Sequence, residues 1–459
     1  MLPVIATINP ATGETVKTFQ SATADEIERA IARAADTART YRTTTFAQRA
    51  AWMHVTADLL EAEADDVAAM MTLEMGKTLA SAKAEALKCA TGFRFYADNA
   101  EEMLADEHAD AGAVNASQAF ARYQPLGVVL AIMPWNFPLW QAVRFAAPAL
   151  MAGNVGLLKH ASNVPQSALY LADVISRGGF PDGAFQTLLI GSGAVESVLR
   201  DPRVAAATLT GSEPAGRAVA AIAGDEVKHT VLELGGSDPF IVMPSADLDA
   251  AVKTAVTARV QNNGQSCIAA KRFIVHTDVY DEFATEFVEA MSALTVGDPT
   301  DPATDIGPLA TEQGRADVEE LVADAVANGA EILCGGARPD GAGWYYPATV
   351  VSAITPAARM YTEEVFGPVA GLYRAADIDE AVTIANATSF GLGSNAWTTD
   401  AAEIDRFVAD LDAGGVFING MTVSYPELPF GGVRRSGTGR ELSAHGIREF
   451  CNIKTVWIG

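Results

Sequence analysis

The chain has 459 residues, of which 49% are hydrophobic and 19% charged; that is enough apolar material for two or three packed domains and too much for a disordered protein. Its 32 Lys and Arg against 57 Asp and Glu leave a net charge of −25, which argues against nucleic acid and anionic membrane surfaces as partners. No basic stretch leads into an apolar run at the N-terminus, no uninterrupted segment is long enough to span a membrane, and Cys89, Cys267, Cys334 and Cys451 have neither disulfide-framework nor zinc-site spacing, so a reduced, cytoplasmic protein is expected.

Residues 1–20 read as an extended arm that turns at 9–13, where Asn9, Pro10 and Gly13 punctuate the chain. Thr23 and Glu26 have capping-box spacing, and Ile27, Ile31, Ala34, Ala38 and Tyr41 follow at helical intervals. From Phe46 to about Met103 the pattern stays helical, with a break near Gly76, as in a layer that covers a sheet. Residues 118–123 alternate as a strand does, and 126–133 form an apolar run that ends at Pro134-Trp135-Asn136-Phe137-Pro138. Strands at 156–159, 186–190 and 205–209 then alternate with helices, one of them from about Pro165. This alternation predicts an α/β fold with a parallel sheet and ligands at the carboxyl ends of its strands. After Gly236 the pattern restarts with a strand at 240–243, a helix from about Asp247 and a loop carrying Cys267, and a second α/β unit runs to about Val423. Residues 452–458 read as a terminal strand, expected to complete a sheet of a neighbouring subunit.

Two short motifs carry chemistry. Cys267 is flanked by Gly264, Gln265, Ser266 and Ala269, with no bulky neighbour to cover the thiol, although a lone cysteine is more often a small buried hydrophobe. Glu233 precedes Gly235-Gly236, where backbone and substrate can approach closely. A cysteine nucleophile and a carboxylate base suffice for covalent chemistry on a carbonyl. A cofactor-free cysteine hydrolase would need a histidine base, and none of the histidines at 54, 108, 160, 229, 276 and 445 lies in such a motif. Gly191-Ser192-Gly193 is only a fragment of a G-x-G-x-x-G fingerprint.

These two motifs, together with 134–138, resemble the aldehyde dehydrogenase family over nearly the whole chain. The resemblance implies two Rossmann-type parallel-sheet domains plus a small β oligomerisation element. The dinucleotide-binding domain would be 1–110 and 128–233, the catalytic domain 234–423, and the oligomerisation element 111–127 and 440–459, in a homodimer or homotetramer. Cys267 would attack an aldehyde to give a thiohemiacetal and, after hydride transfer to a nicotinamide, a thioester. Asn136 and the Cys267 backbone N–H would hold the oxyanion. Glu233 would activate the hydrolytic water; relatives that pass the acyl group to coenzyme A typically lack this glutamate, so a free acid is the expected product. Lys159, counted also with the catalytic set, would hold the adenosine ribose. Trp135, Gly211, Ser212, Leu234, Glu364 and Phe366 would contact the rest of the dinucleotide, Glu364 at the nicotinamide ribose. Ser162 stands where many NAD-preferring members carry a glutamate that repels a 2′-phosphate, so NADP is the expected cofactor and NAD a weaker one. His160 replaces the commoner proline of this segment and is expected to alter only loop stiffness. No metal is expected.

The substrate side follows from the same resemblance. If 138–150 is a helix, Arg144, eight residues after Asn136, can point into the same cavity. Members that oxidise succinic semialdehyde carry an arginine there for the substrate carboxylate, which a guanidinium binds through two parallel hydrogen bonds. Ser424 resembles a second carboxylate contact, and Phe137, Trp140 and Phe430 would line the funnel. Gln261, six residues before Cys267, departs from the pattern, because many of those members carry a further arginine there. The expected reaction is therefore NADP-dependent oxidation of a small carboxylated aldehyde, succinic semialdehyde, with a broad-specificity dehydrogenase of other small aldehydes as the alternative. Ala269 stands where some relatives have a second, redox-active cysteine.

Overall fold

Apolar strands with little alternation need cover on both faces, and two sheets meet that need in the computed structural model, which describes residues 5–459. The first has six strands in the order Gly437–Thr438, His229–Glu233, Val204–Thr210, Val128–Met133, Val155–His160, Phe185–Thr187, parallel except for the first pair. The chain builds this sheet outward from Val128–Met133, first through Val155–His160, then through Val204–Thr210 on the other side. A crevice opens at the carboxyl ends where the two directions part. The helix Trp140–Ala152 is buried along its whole length and packs between this sheet and the helices Phe46–Ala62 and Leu79–Met103.

The second sheet has seven strands, Glu331–Cys334, Thr349–Ser352, Val369–Ala375, Ala270–His276, Asp238–Val242, Gly393–Trp397 and Gly415–Ile418, parallel except for the first pair. A third, antiparallel sheet joins Cys451–Ile458, Gln118–Pro125 and Glu107–His108. Among the described residues no helix is long and apolar enough to cross a membrane.

The α/β class and the capping box at Thr23 are as expected. The structure adds one detail, the neighbour of the terminal strand within its own chain, and differs in two. The terminal strand pairs with its own chain, Cys451 opposite Pro125 through Ile458 opposite Gln118, because Phe450 is anchored at the start of the ladder by Leu126 N–H (3.2 Å) and Asn154 Nδ2 (3.0 Å). The helical stretch breaks at Glu63 as well as at Gly76, the latter a left-handed C-cap with φ 83°. The strand expected at 186–190 stops at Thr187, and the Leu189 carbonyl accepts from Ala22 N–H (2.8 Å), just before the helix cap at Thr23.

Candidate active site

Cys267 lies in the loop between the helix Leu248–Val260 and the strand Ala270–His276. Three consecutive residues there are left-handed: Asn262 (φ 55°), Asn263 (φ 57°) and Gly264 (φ 73°). Asparagine tolerates that region better than most residues, yet two in a row are strained and must be held by their surroundings. Asn263 Nδ2 donates to the carbonyls of Gly76 (2.9 Å) and Pro308 (3.0 Å), and its Oδ1 accepts from Gly307 N–H (2.9 Å). Asn262 Nδ2 donates to Asn136 O (2.7 Å) and Gln265 O (3.0 Å). The fully buried Arg259 donates to Gly264 O (2.7 Å) and Ala270 O (2.8 Å). A side chain at Gly264 would collide with the Gly367 backbone. By sequence these neighbours count only as small and polar; in the fold they clamp the thiol's position.

The clamp leaves Cys267 half-buried. Burial pushes its thiol up to about 12, opposed by the charges of Arg144 and then Lys271. Lys271 Nζ donates to Ser266 O (2.9 Å) and Cys267 O (2.7 Å) and lies 3.1 Å from Glu364. The Cys267 backbone N–H has no acceptor among the described residues. Asn136, beside it, gives one amide N–H to Gln265 O (3.1 Å) and keeps the other.

Two cavities meet at Cys267. The first, of 270 Å³, is lined by 134–136, 210–212 and 234–235, which follow or end strands of the first sheet, and by Glu364 and Phe366 from the second. The second, of 190 Å³, is bounded by Phe137, Trp140, Arg144, Gln261 and Ser424, and also by Glu85 and Lys88 from the helix Leu79–Met103. Cys267 and Gln141 border both.

The first cavity fits a dinucleotide. Ser212 is the N-cap of the helix Glu213–Asp225, but no side chain caps that helix, so its first N–H groups and positive dipole end are free for a phosphate. Trp135 and Phe366 meet edge to face at 5.7 Å on one wall, and Glu364 packs over Gly235, where a β-carbon would clash with it. Lys159 and Ser162 lie outside the enclosed space but at the same sheet edge, because Lys159 is in register with Ile132 at the end of the neighbouring strand. The Lys159 ammonium has no partner among the described residues, and burial lowers its proton affinity. His160 does more than alter stiffness: Nε2 bonds Pro138 O (2.7 Å) and Nδ1 accepts from Ala161 N–H (2.9 Å). Burial holds its pKa down to about 4, so a neutral ring ties the 134–138 loop to the strand end.

The expected base is placed differently from the sequence expectation. Glu233 is 2% exposed rather than partly buried, neither carboxylate oxygen has a hydrogen-bond partner, and it lines neither cavity. Its Oε1 lies 2.6 Å from where a Gly431 β-carbon would stand, so glycine there makes the room. Burial first, and then the neighbouring Glu441, push the Glu233 carboxyl well above the usual carboxylate range, against the pull of Arg144 and Arg440. To reach a water at Cys267 the side chain has to swing from this resting position.

Arg144 is also not where helical spacing alone puts it. The helix begins at Trp140, so Asn136 belongs to the preceding loop and lines the first cavity while Arg144 lines the second. Arg144 Nε is 2.8 Å from Glu441 Oε2, with both side chains buried, and the guanidinium stacks on Phe430 at 4.4 Å. Phe430 thus supports Arg144 from behind and faces a separate groove beside the strand Gly415–Ile418 instead of the funnel. Gln261 bonds only weakly to Ala258 O (3.4 Å). Ser424 Oγ accepts from Trp140 Nε1 and from Lys88 Nζ, each at 2.9 Å. Glu85, paired with the buried Lys77, accepts from the N–H groups of Leu139 (2.8 Å) and Trp140 (2.9 Å) and so caps a helix that has no cap of its own. Sequence reasoning missed Lys88, Glu85, Gln141 and Glu441. The available signal was two charged residues, Glu85 and Lys88, one turn apart among the buried Ala82, Ala86, Cys89 and Phe93.

A family profile for the aldehyde dehydrogenase family matches residues 3–456. The chain is 77% identical to the NADP(+) succinate-semialdehyde dehydrogenase of Mycobacterium avium (strain 104), over 99% of this chain and 97% of that one. It is also 77% identical to the NADP(+) succinate-semialdehyde dehydrogenase 1 of Mycobacterium tuberculosis (strain ATCC 25618 / H37Rv), over 99% of each chain. The crystal structure of succinic semialdehyde dehydrogenase from Streptococcus pyogenes in complex with NADP+ superposes with a TM-score of 0.96 at 36% identity, over 99% of each chain.

Proposed function

We propose, for a chain that belongs to the aldehyde dehydrogenase family, the NADP-dependent oxidation of succinic semialdehyde to succinate, the activity named for relatives 77% identical over its full length. One observation carries the assignment to this site. Cys267 stands on the wall shared by two cavities, one with a free helix N-terminus and the other with cationic side chains.

Cys267 releases its thiol proton to solvent, Sγ adds to the aldehyde carbon, and the oxygen that gains charge is held by the free Cys267 N–H and the second N–H of Asn136; loss of hydride from that carbon leaves the thioester. Trp135, Ser212, Leu234, Glu364 and Phe366 hold the dinucleotide across the first cavity, with Lys159 and Ser162 at its adenosine end. When bound there it supplies the hydride acceptor. Glu233, whose raised proton affinity suits a general base, swings toward the cysteine and takes a proton from the water that cleaves the thioester. The balanced change is aldehyde, oxidised dinucleotide and water to carboxylic acid, reduced dinucleotide and a proton. Ser162 favours NADP because no carboxylate stands there against a 2′-phosphate.

The free thiols at all four cysteines accord with a reducing, cytoplasmic setting. Exposed Ile453, Trp457 and Ile458 on the terminal strand, and the open outer edge of Gly415–Ile418, favour a homodimer or homotetramer. The test is absorbance of the reduced nicotinamide with succinic semialdehyde, comparing NADP with NAD, then with butanal. Fastest turnover is expected with NADP and the carboxylated substrate; faster turnover of butanal would reject the substrate assignment.

A further inference from the structure

The charged side chains around the second cavity are unequally occupied. Arg144 already has Glu441 at 2.8 Å. Glu85 is committed to Lys77 and to two helix N–H groups. Lys88 is different: its ammonium donates to one neutral hydroxyl, Ser424 Oγ at 2.9 Å, and rests on the Trp140 ring at 4.6 Å, with no carboxylate paired to it among the described residues. In a chain with 57 acidic and 32 basic residues, a half-buried lysine without a counter-ion is a charge held in reserve for something else. Its neighbour supports this. Ser424 Oγ accepts from both Lys88 and Trp140, so its own proton points elsewhere and has no acceptor among the described residues. The Lys88 ammonium and the Ser424 hydroxyl thus line the same small space as Cys267.

From this geometry we infer that Lys88 is a further specificity-determining residue for the substrate's carboxylate: its ammonium, with the Ser424 hydroxyl, receives the anionic end of the aldehyde beside Arg144, whose own charge is partly offset by Glu441. The inference rests on the aldehyde-oxidising assignment of the site. It accounts for Gln261, since the positive charge that is missing from the nucleophile's loop is supplied to the same cavity by the helix Leu79–Met103. The groups that face Lys88 are Arg144 from the helix Trp140–Ala152 and Glu85 and Cys89 from its own helix; burial first, and then Arg144, bring its pKa down to about 8. Its charge, and with it the affinity for a carboxylate, fades above that pH.

The experiment is steady-state kinetics of the full-length enzyme at saturating NADP with succinic semialdehyde and with butanal, for the natural protein, Lys88→Met and Lys88→Arg. Lys88→Met is expected to raise KM for succinic semialdehyde by at least about tenfold and to leave or lower that for butanal; Lys88→Arg restores most of the loss. A KM for succinic semialdehyde that does not move, or that moves equally with butanal's, overturns the inference. If the natural protein itself does not prefer the carboxylated aldehyde, the assigned function fails and Lys88's role falls with it. If it does prefer it, and Lys88→Met prefers it equally, Lys88 alone is refuted. Should Lys88→Met fail to fold, the natural protein decides: KM for succinic semialdehyde rises above pH 8 or so while butanal's stays flat, and parallel profiles overturn the inference.

Discussion

The two cavities that meet at Cys267 are built on different principles. The dinucleotide side is made of strand ends, a helix N-terminus and glycines, so its chemistry belongs largely to the backbone. The substrate side is made of helix faces, and its chemistry belongs to a few side chains whose charges are balanced against buried partners: Arg144 against Glu441, almost 300 positions away, and Glu85 against Lys77, two turns away. A backbone-built site tolerates side-chain change and announces itself in short motifs. A charge-built site depends on each partner, and losing one leaves the other buried and uncompensated.

That contrast can be broken at its shared wall. Cys267→Ala is expected to lower turnover by more than about a thousandfold while dinucleotide binding, followed by fluorescence titration, survives; undiminished turnover would remove the nucleophile from the scheme. Arg144→Met tests the charge-built side. It strands Glu441 beside Glu233, so a stability loss of about 3 kcal/mol is expected in urea unfolding, where an equivalent change on the other side, Ser212→Ala, should cost little because Ser212 makes no cap bond.

Glu233→Gln separates the half-reactions: rapid mixing should show a first turnover of nicotinamide reduction, followed by steady-state hydrolysis slower by about a hundredfold. It carries a pH signature as well. The folded pKa of Glu233 lies above its unfolded value, so the protein takes up a proton there on folding. That contribution is fully present below the ordinary carboxylate range and is lost as pH rises through the folded value. Melting of Glu233→Gln should therefore decline less with rising pH than melting of the natural protein; parallel curves would mean the carboxyl is not desolvated. The smallest effect belongs to the backbone-built side: Ser162→Glu should shift the NADP-to-NAD preference by about tenfold through repulsion of the 2′-phosphate, with succinic semialdehyde KM unchanged.

The same contrast explains what was legible in the sequence. The strands around 134–138 and 210–212, the parallel α/β architecture and the helix start at Thr23 follow from local pattern, because apolar runs, turn residues and caps act over a few positions. Lys88 escaped because it sits mid-helix in an Ala-rich stretch, and its partner Ser424 is 336 residues away. Glu441 escaped because nothing local distinguishes a surface carboxylate from one folded under Arg144. Cys267 was legible as a candidate nucleophile, yet the left-handed turn of Asn262 and Asn263 was not, since the hydrogen bonds that hold it come from Gly76, Gly307 and Pro308. The pairing of the terminal strand could not be read either, because alternation identifies a strand without naming its neighbour.

The first sheet closes on its outer edge with Gly437 set against Glu233, and Leu234 N–H bonds Ser436 O at 2.9 Å. That edge comes from a segment some 200 positions later in the chain. During synthesis, which delivers about 5 to 20 residues per second, the strand that carries Glu233 waits, unpaired on one side, until the last part of the chain emerges. Glu441, Phe430 and Ser424 arrive in the same final segment. A ribosome thus delivers Lys88, Arg144 and Cys267 well before Ser424 and Glu441, and a chain cut short before Ser424 would hold Arg144 without its buried counter-charge and Lys88 without its hydroxyl partner.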